Sequence, residues 1–146
     1  MSESTPTPPR ILLVEDDRDI RETTADLLEF SHFTVLSAAG GVQARAVLEA
    51  QPIDIVVTDI VMPEGDGYSL LRYIRGSESF GHLPVIMVSA KADKNDLRQG
   101  YELGVDEYLT KPYNSGELVR LIRELLSGGR TRARGTVRDV NSKSVQ

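Results

Sequence analysis

The chain has 146 residues, with 22 acidic side chains against 17 Lys and Arg and no cysteine. Its formal charge of −5 is unevenly placed: residues 127–146 carry +4, which leaves −9 on the residues before them. An acidic body argues against a nucleic-acid surface on the folded part, and the lack of cysteine excludes disulfides and thiolate metal sites. No apolar run reaches the length of a signal-peptide core or a membrane span, so the expected setting is cytoplasmic, with no membrane insertion.

Residues 1–9, MSESTPTPP, are too polar and proline-rich to offset ordering entropy and read as a disordered lead. From 10 to 126 the pattern is that of one folded body. Ile11–Val14 is a short apolar run suited to a buried strand, and it ends in Glu15, Asp16 and Asp17. From about Arg18, the spacing of Ile20, Thr24, Leu27 and Leu28 predicts a helix that ends near Phe30. Phe33–Leu36 is the second strand, and Gly40-Gly41 opens a helix bearing Val42, Ala46, Val47 and Ala50, closed by Gln51-Pro52. The third strand, Ile53–Thr58, delivers Asp59 into a turn marked by Met62-Pro63, Gly65 and Gly67. Leu70, Leu71 and Ile74 predict a helix that stops at Gly76, and Leu83–Val88 a fourth strand. Asp93 or Asn95 would cap a helix carrying Leu97 and Tyr101 and ending at Gly104; Val105–Leu109 follows as a more polar edge strand. Asn114 or Ser115 would cap a last helix, with Leu118, Leu121, Ile122 and Leu125 on one face and Gly128-Gly129 as its stop. The remaining 127–146 has the composition of a flexible basic tail or linker.

Five buried-type strands alternating with five helices specify an α/β doubly wound parallel sheet, whose working site lies outside the carboxyl ends of the strands. Those ends supply Asp16 and Asp17, Asp59, Ser89, and Tyr108 with Lys111-Pro112 just beyond. Three carboxylates held together repel one another unless a cation lies among them, and oxygen ligands without His or Cys favour Mg²⁺ over zinc. A carboxylate in such a place can act as a nucleophile toward phosphorus, and Asp59 is the candidate. Singly, each feature has a plainer explanation: Asp16 and Asp17 also suit a helix N-terminus, Asp59 a turn, and Tyr108 the core. Their joint occurrence is what points to chemistry. His32 and His82 lack metal-ligand spacing and read as structural.

The runs ILLVEDD, VVTDIVMPEGDG, PVIMVSA and GVDEYLTKPY, in this order and at these spacings, resemble the four motifs of the receiver domain of two-component response regulators, over about residues 10–126. The resemblance implies a flavodoxin-like five-stranded sheet of order 2-1-3-4-5 and a Mg²⁺-dependent (or Mn²⁺-dependent) phosphorylation of Asp59. It implies that Asp17, Asp59 and the carbonyl of Val61 hold the metal with help from Asp16, that Ser89 and Lys111 contact the phosphoryl group, and that the ring of Tyr108 turns inward when Ser89 is drawn to it. A cis bond before Pro112 belongs to the same pattern. The implied phospho-donor is a sensor histidine kinase or phosphotransfer protein, and the output is a change in the surface from about Asp93 to Leu126 that is read by a downstream protein. The domain would catalyse its own phosphorylation and a slow self-dephosphorylation without a separate substrate; Val61 and Lys91 flank the expected path of the hydrolytic water. Leu121 stands where an ionic dimer of the family would place an arginine, leaving a monomer or a phosphorylation-dependent dimer. Two other phosphate-handling folds fail on these residues. Haloacid-dehalogenase phosphatases need an Asp where Val61 stands, and a flavin phosphate would meet Glu15-Asp16-Asp17. The remaining alternatives are a receiver cut from a longer DNA-binding regulator or hybrid kinase, and a receiver-like module that binds without being phosphorylated.

Overall fold

A computed structural model describes residues 7–62, 67–90 and 94–135. Its elements run β1 (Arg10–Val14), α1 (Arg18–Phe30), β2 (Thr34–Ala38), α2 (Gly41–Ala50), β3 (Ile55–Asp59), α3 (Gly67–Arg75), β4 (Val85–Ser89), α4 (Lys94–Leu103), β5 (Glu107–Thr110) and α5 (Ser115–Gly135). The strands form one parallel sheet of order β2-β1-β3-β4-β5, the doubly wound order that the motifs imply.

Strand geometry sends alternate side chains to opposite faces, and the two faces of this sheet have separate cores. Leu12, Val14, Val56, Val85 and Met87 meet Leu48 of α2 and Leu70, Leu71 and Ile74 of α3. Ile11, Leu13, Ile55, Val57, Ile86 and Val88 meet Leu28 of α1 and Leu118, Leu121, Ile122 and Leu125 of α5. Burial on both faces is why these strands are continuous apolar runs instead of alternating ones.

Local chemistry sets the ends. Asp17, in extended conformation, caps α1 by accepting from the Ile20 N–H at 3.0 Å. Asn114 is the cap of α5, its Oδ1 accepting from the Glu117 N–H at 2.8 Å, so Ser115 is already helical. Asn95 lies inside α4, and the other proposed cap, Asp93, falls outside the described residues. Ile20 departs from its expected inward face and is 41% exposed. The largest difference is at α5, which does not stop at Gly128-Gly129 but runs to Gly135. Each glycine costs a helix interior about 1 kcal/mol, yet the flanking Leu125, Leu126, Arg130 and Ala133 are helix formers, and a stop needs a left-handed residue that neither glycine supplies here.

Arg10 ties the start of β1 to the approach of β3. Its backbone N–H donates to Asp54 Oδ2 at 2.8 Å, Nε to the Pro52 carbonyl at 2.7 Å and Nη2 to Gln51 Oε1 at 3.0 Å. The carbonyl of Pro9 accepts from the Thr34 N–H at 2.9 Å and so ties the residue before β1 to the start of β2.

Candidate functional site

Three strand ends converge where β1, β3 and β5 leave the sheet. Asp59 is the last residue of β3; its Oδ1 accepts from the Ile60 N–H at 2.8 Å and its Oδ2 from Lys111 Nζ at 3.1 Å. Glu15 follows β1; its Oε2 accepts from the Asp17 N–H at 3.0 Å and its Oε1 from the same Lys111 Nζ at 3.0 Å. Lys111 continues the β4–β5 ladder by donating its N–H to the Ser89 carbonyl at 2.8 Å, and a cis bond to Pro112 follows. Gly67 closes the turn after Asp59: its N–H donates to the Ile60 carbonyl at 2.7 Å, and a Cβ there would lie 2.5 Å from the Asp59 carbonyl oxygen. Only glycine permits that approach of α3 to the end of β3.

One oxygen each from Glu15, Asp16 and Asp59 lies within 4.8 Å of the others. This grouping differs from the expected set in one respect. Asp17 is not in the cluster, because its carboxylate is engaged at the N-cap of α1. Glu15 takes the place beside Asp16; sequence reasoning placed it at the end of the first strand but collected only Asp16 and Asp17 for the site. The signal was there: an Asp three residues before Ile20, at the first turn of a helix, is a cap. Val61 lies just past β3 with its side chain 75% exposed, and Ser89, 5% exposed, ends β4 one residue beyond the partner of Asp59. Tyr108 pairs with Met87 in β5 and packs against the core on the α3 side. Lys91 falls outside the described residues.

The electrostatics of Glu15 and Lys111 are linked through their contact. Burial pushes the Glu15 carboxyl above the ordinary carboxylate range; the Asp17 N–H and Lys111 lower it, and the negative charge of Asp59 raises it again. Burial acts to lower Lys111, but hydrogen bonds to Glu15 and Asp59 outweigh it and hold the ammonium above its ordinary value. Among the described residues, Lys111 pairs with Glu15 and Asp59, and the third acid, Asp16, adds further negative oxygen to the cluster. A hard divalent cation fits that donor set, with Glu15, Asp16 and Asp59 as the available carboxylates.

Tyr113, just beyond Pro112, is also shifted upward, by burial of its phenol that a hydrogen bond to Thr24 only partly offsets. Both Lys111 and Tyr113 bind their protons more tightly folded than unfolded, so their contribution is complete below their ordinary values of 10.5 and 10.0 and is lost as pH rises past them. Urea unfolding above about pH 10 should therefore show a steep loss of stability that Tyr113→Phe makes shallower. Identical alkaline slopes in the two proteins would contradict this origin.

The family model described as "Response regulator receiver domain" matches residues 11–123. The chain belongs to the response regulator receiver family. As a receiver it is 39% identical over 116 residues to the transcriptional regulatory protein GltR of Pseudomonas aeruginosa, a match spanning 80% of this chain and 48% of that protein. It is 40% identical over 117 residues to the transcriptional regulatory protein CpxR of Escherichia coli K12, spanning 80% and 49%. This receiver thus spans about half the length of the curated relatives it matches. Among solved structures it is similar to the receiver domain of a sensor histidine kinase from Pseudomonas aeruginosa PAO1, described with a magnesium ion in the active-site cleft. There the TM-score is 0.76 and the identity 32%, over 82% of this chain and 98% of that one. Receivers interact with histidine kinases or phosphotransfer proteins, and no described helix of this one is long and apolar enough to cross a membrane.

Proposed function

We propose that this receiver takes a phosphoryl group from a phosphohistidine onto Asp59. The carrying observation is the placement of the Asp59 carboxylate, fixed by the Ile60 N–H and Lys111 Nζ inside a three-acid cluster at the end of a buried strand. An Asp59 oxygen attacks phosphorus; the new O–P bond forms as the histidine N–P bond breaks, and the imidazole leaves neutral once its other nitrogen carries a proton. Lys111 already faces both Asp59 and Glu15, so its charge is in place to balance negative charge on the transferred oxygens. Ser89 supplies a hydroxyl at the next strand end, and Tyr108 carries the change toward α4 and β5. Hydrolysis reverses the gain: water attacks the acyl phosphate and restores the carboxylate. The donor is a sensor histidine kinase or phosphotransfer protein, the setting is cytoplasmic, and the output is contact with a downstream protein.

Mg²⁺ or Mn²⁺, when bound, would supply further positive charge and orientation for the phosphoryl oxygens. We assign it to Asp16 and Asp59, with Glu15 alongside and the Val61 carbonyl completing the set, and we assign Asp17 to the helix cap. Isothermal titration with Mg²⁺ separates the two aspartates. Asp16→Asn should weaken binding at least about tenfold, whereas Asp17→Asn, which keeps a good cap, should leave it within about twofold. Equal losses in the two variants would return Asp17 to the metal site.

The phosphorylation itself is tested by incubating the protein with acetyl phosphate and Mg²⁺ and measuring intact mass. One hydroxylamine-labile phosphate per chain is expected, and no uptake would leave only the reading of a binding module. A second reading, that the receiver serves transcriptional output, is favoured by the names of GltR and CpxR. The genomic reading frame beyond Gln146 discriminates between that and a receiver acting alone.

A further inference from the structure

Tyr68 and Tyr108 stand 40 residues apart in the chain, yet their hydroxyl oxygens are 3.2 Å apart, within hydrogen-bond distance. Tyr68 belongs to the first turn of α3 and is 7% exposed. Its chain neighbour is Gly67, which is pressed against the Asp59 carbonyl and bonded to Ile60. The position of Tyr68 is therefore tied by backbone contact to the strand end that carries the acid cluster. On its other side, the Tyr108 ring meets Tyr101 of α4 edge-on, with centroids 5.5 Å apart and planes at 72°. Its hydroxyl fills the space beside Gly100: a Cβ at that position would lie 1.8 Å from the Tyr108 oxygen and 2.6 Å from Cζ. The inward setting of Tyr108 thus requires a glycine on α4 and meets a hydroxyl from α3.

We propose that Tyr68 is a positioning residue that latches Tyr108 against Gly100, so that the end of β3, through its contacts with Gly67 of α3, acts on α4 and β5 by a path that does not pass through Ser89. The importance of that path for signalling rests on the reading of Asp59 as phospho-acceptor; the latch itself does not. Loss of the Tyr68 oxygen removes a hydrogen bond that favours the inward ring, while leaving the phenyl group to fill its buried site. Populations with Tyr108 turned outward rise accordingly, and a phosphate mimic that favours the inward ring must first restore it.

The test uses the full chain with ε-¹³C-labelled tyrosine, which gives signals for five tyrosines, the Tyr108 signal being the one lost in Tyr108→Phe. A soluble paramagnetic agent reads the exposure of that ring, and titration with beryllium fluoride and Mg²⁺ reads the activation equilibrium. Tyr68→Phe should raise the paramagnetic relaxation of Tyr108 about threefold, toward that of the half-exposed Tyr101, and shift the beryllium fluoride midpoint about fivefold upward. Gly100→Ala, which evicts the ring by contact while keeping Tyr68, should give the same two changes. An unchanged Tyr108 signal in Tyr68→Phe overturns the latch whatever beryllium fluoride does. A Tyr108 signal that moves without any shift in the midpoint overturns the path to the acid cluster. If the wild-type protein ignores beryllium fluoride while Tyr68→Phe still exposes Tyr108, the latch stands and the phospho-acceptor reading is the one that falls.

Discussion

Replacing Asp59 by Asn is expected to lower phosphate uptake from acetyl phosphate by about a hundredfold or more while leaving the fold intact. The amide has the shape of the carboxylate, and its oxygen can still accept from the Ile60 N–H that fixes Oδ1. What it lacks is the anionic oxygen that would attack phosphorus in the proposed transfer. The pocket tolerates the change because Lys111 keeps Glu15 as a partner and one of three mutually repelling acids is gone. The variant should therefore unfold at the same denaturant concentration as the parent or slightly above it. Intact mass after incubation gives the result directly, and a variant that still gains a labile phosphate would move the acceptor to another side chain.

A comparably large effect, on stability instead of chemistry, is expected at the opposite end of the sheet. Arg75 bonds Asp106 Oδ2 at 2.9 Å and donates to the carbonyls of Gly81, Leu83 and Gly104, while the same Asp106 oxygen accepts from the Val85 N–H. The Asp106 side chain is 1% exposed and that of Arg75 13%. Arg75→Ala deprives a buried carboxylate of its cation and three carbonyls of a donor at once, which should cost about 3–5 kcal/mol. Against a total stability of about 5–15 kcal/mol, that is enough to populate the unfolded state. Arg75→Lys should recover only part of the loss, because an ammonium cannot span the fork of acceptors that a guanidinium reaches. Urea midpoints for the three proteins check the order, and a loss below about 1 kcal/mol in Arg75→Ala would show that water replaces the guanidinium. The acid cluster lies at the other ends of the strands, so phosphate uptake by the folded fraction should be unaffected.

Most of the fold was legible because both sheet faces are buried, which makes the central strands β1, β3 and β4 visible apolar runs, and because Gly, Pro and capping residues mark the breaks. Asp59 and Lys111 were legible as polar residues stranded at the ends of such runs. Asp16 and Asp17 were not separable by residue type, since two adjacent acids suit both a metal site and a helix start; the cue lay in position, Asp17 standing three residues before Ile20 where the cap of α1 belongs. Tyr68 carried no local signal, because an aromatic in the first turn of a helix is ordinary and its partner is 40 residues away. At α5, the paired glycines suggested a stop whose local cost is outweighed by helix formers on either side.

The clamp made by Arg10 has a consequence for synthesis. Among the five strands of this sheet β1 leaves the ribosome first, yet it lies between β2 and β3 in the finished sheet, and its anchor at Asp54 is 44 residues downstream. At about 5–20 residues per second, the first strand waits roughly 2–9 seconds before its side chain and backbone can close on residues 51–54. Throughout that interval the apolar stretch Ile11–Val14 lacks at least one of its two sheet neighbours, β3. Nascent chains of this domain therefore offer chaperones an early, short-lived target at β1, one that vanishes when β3 arrives.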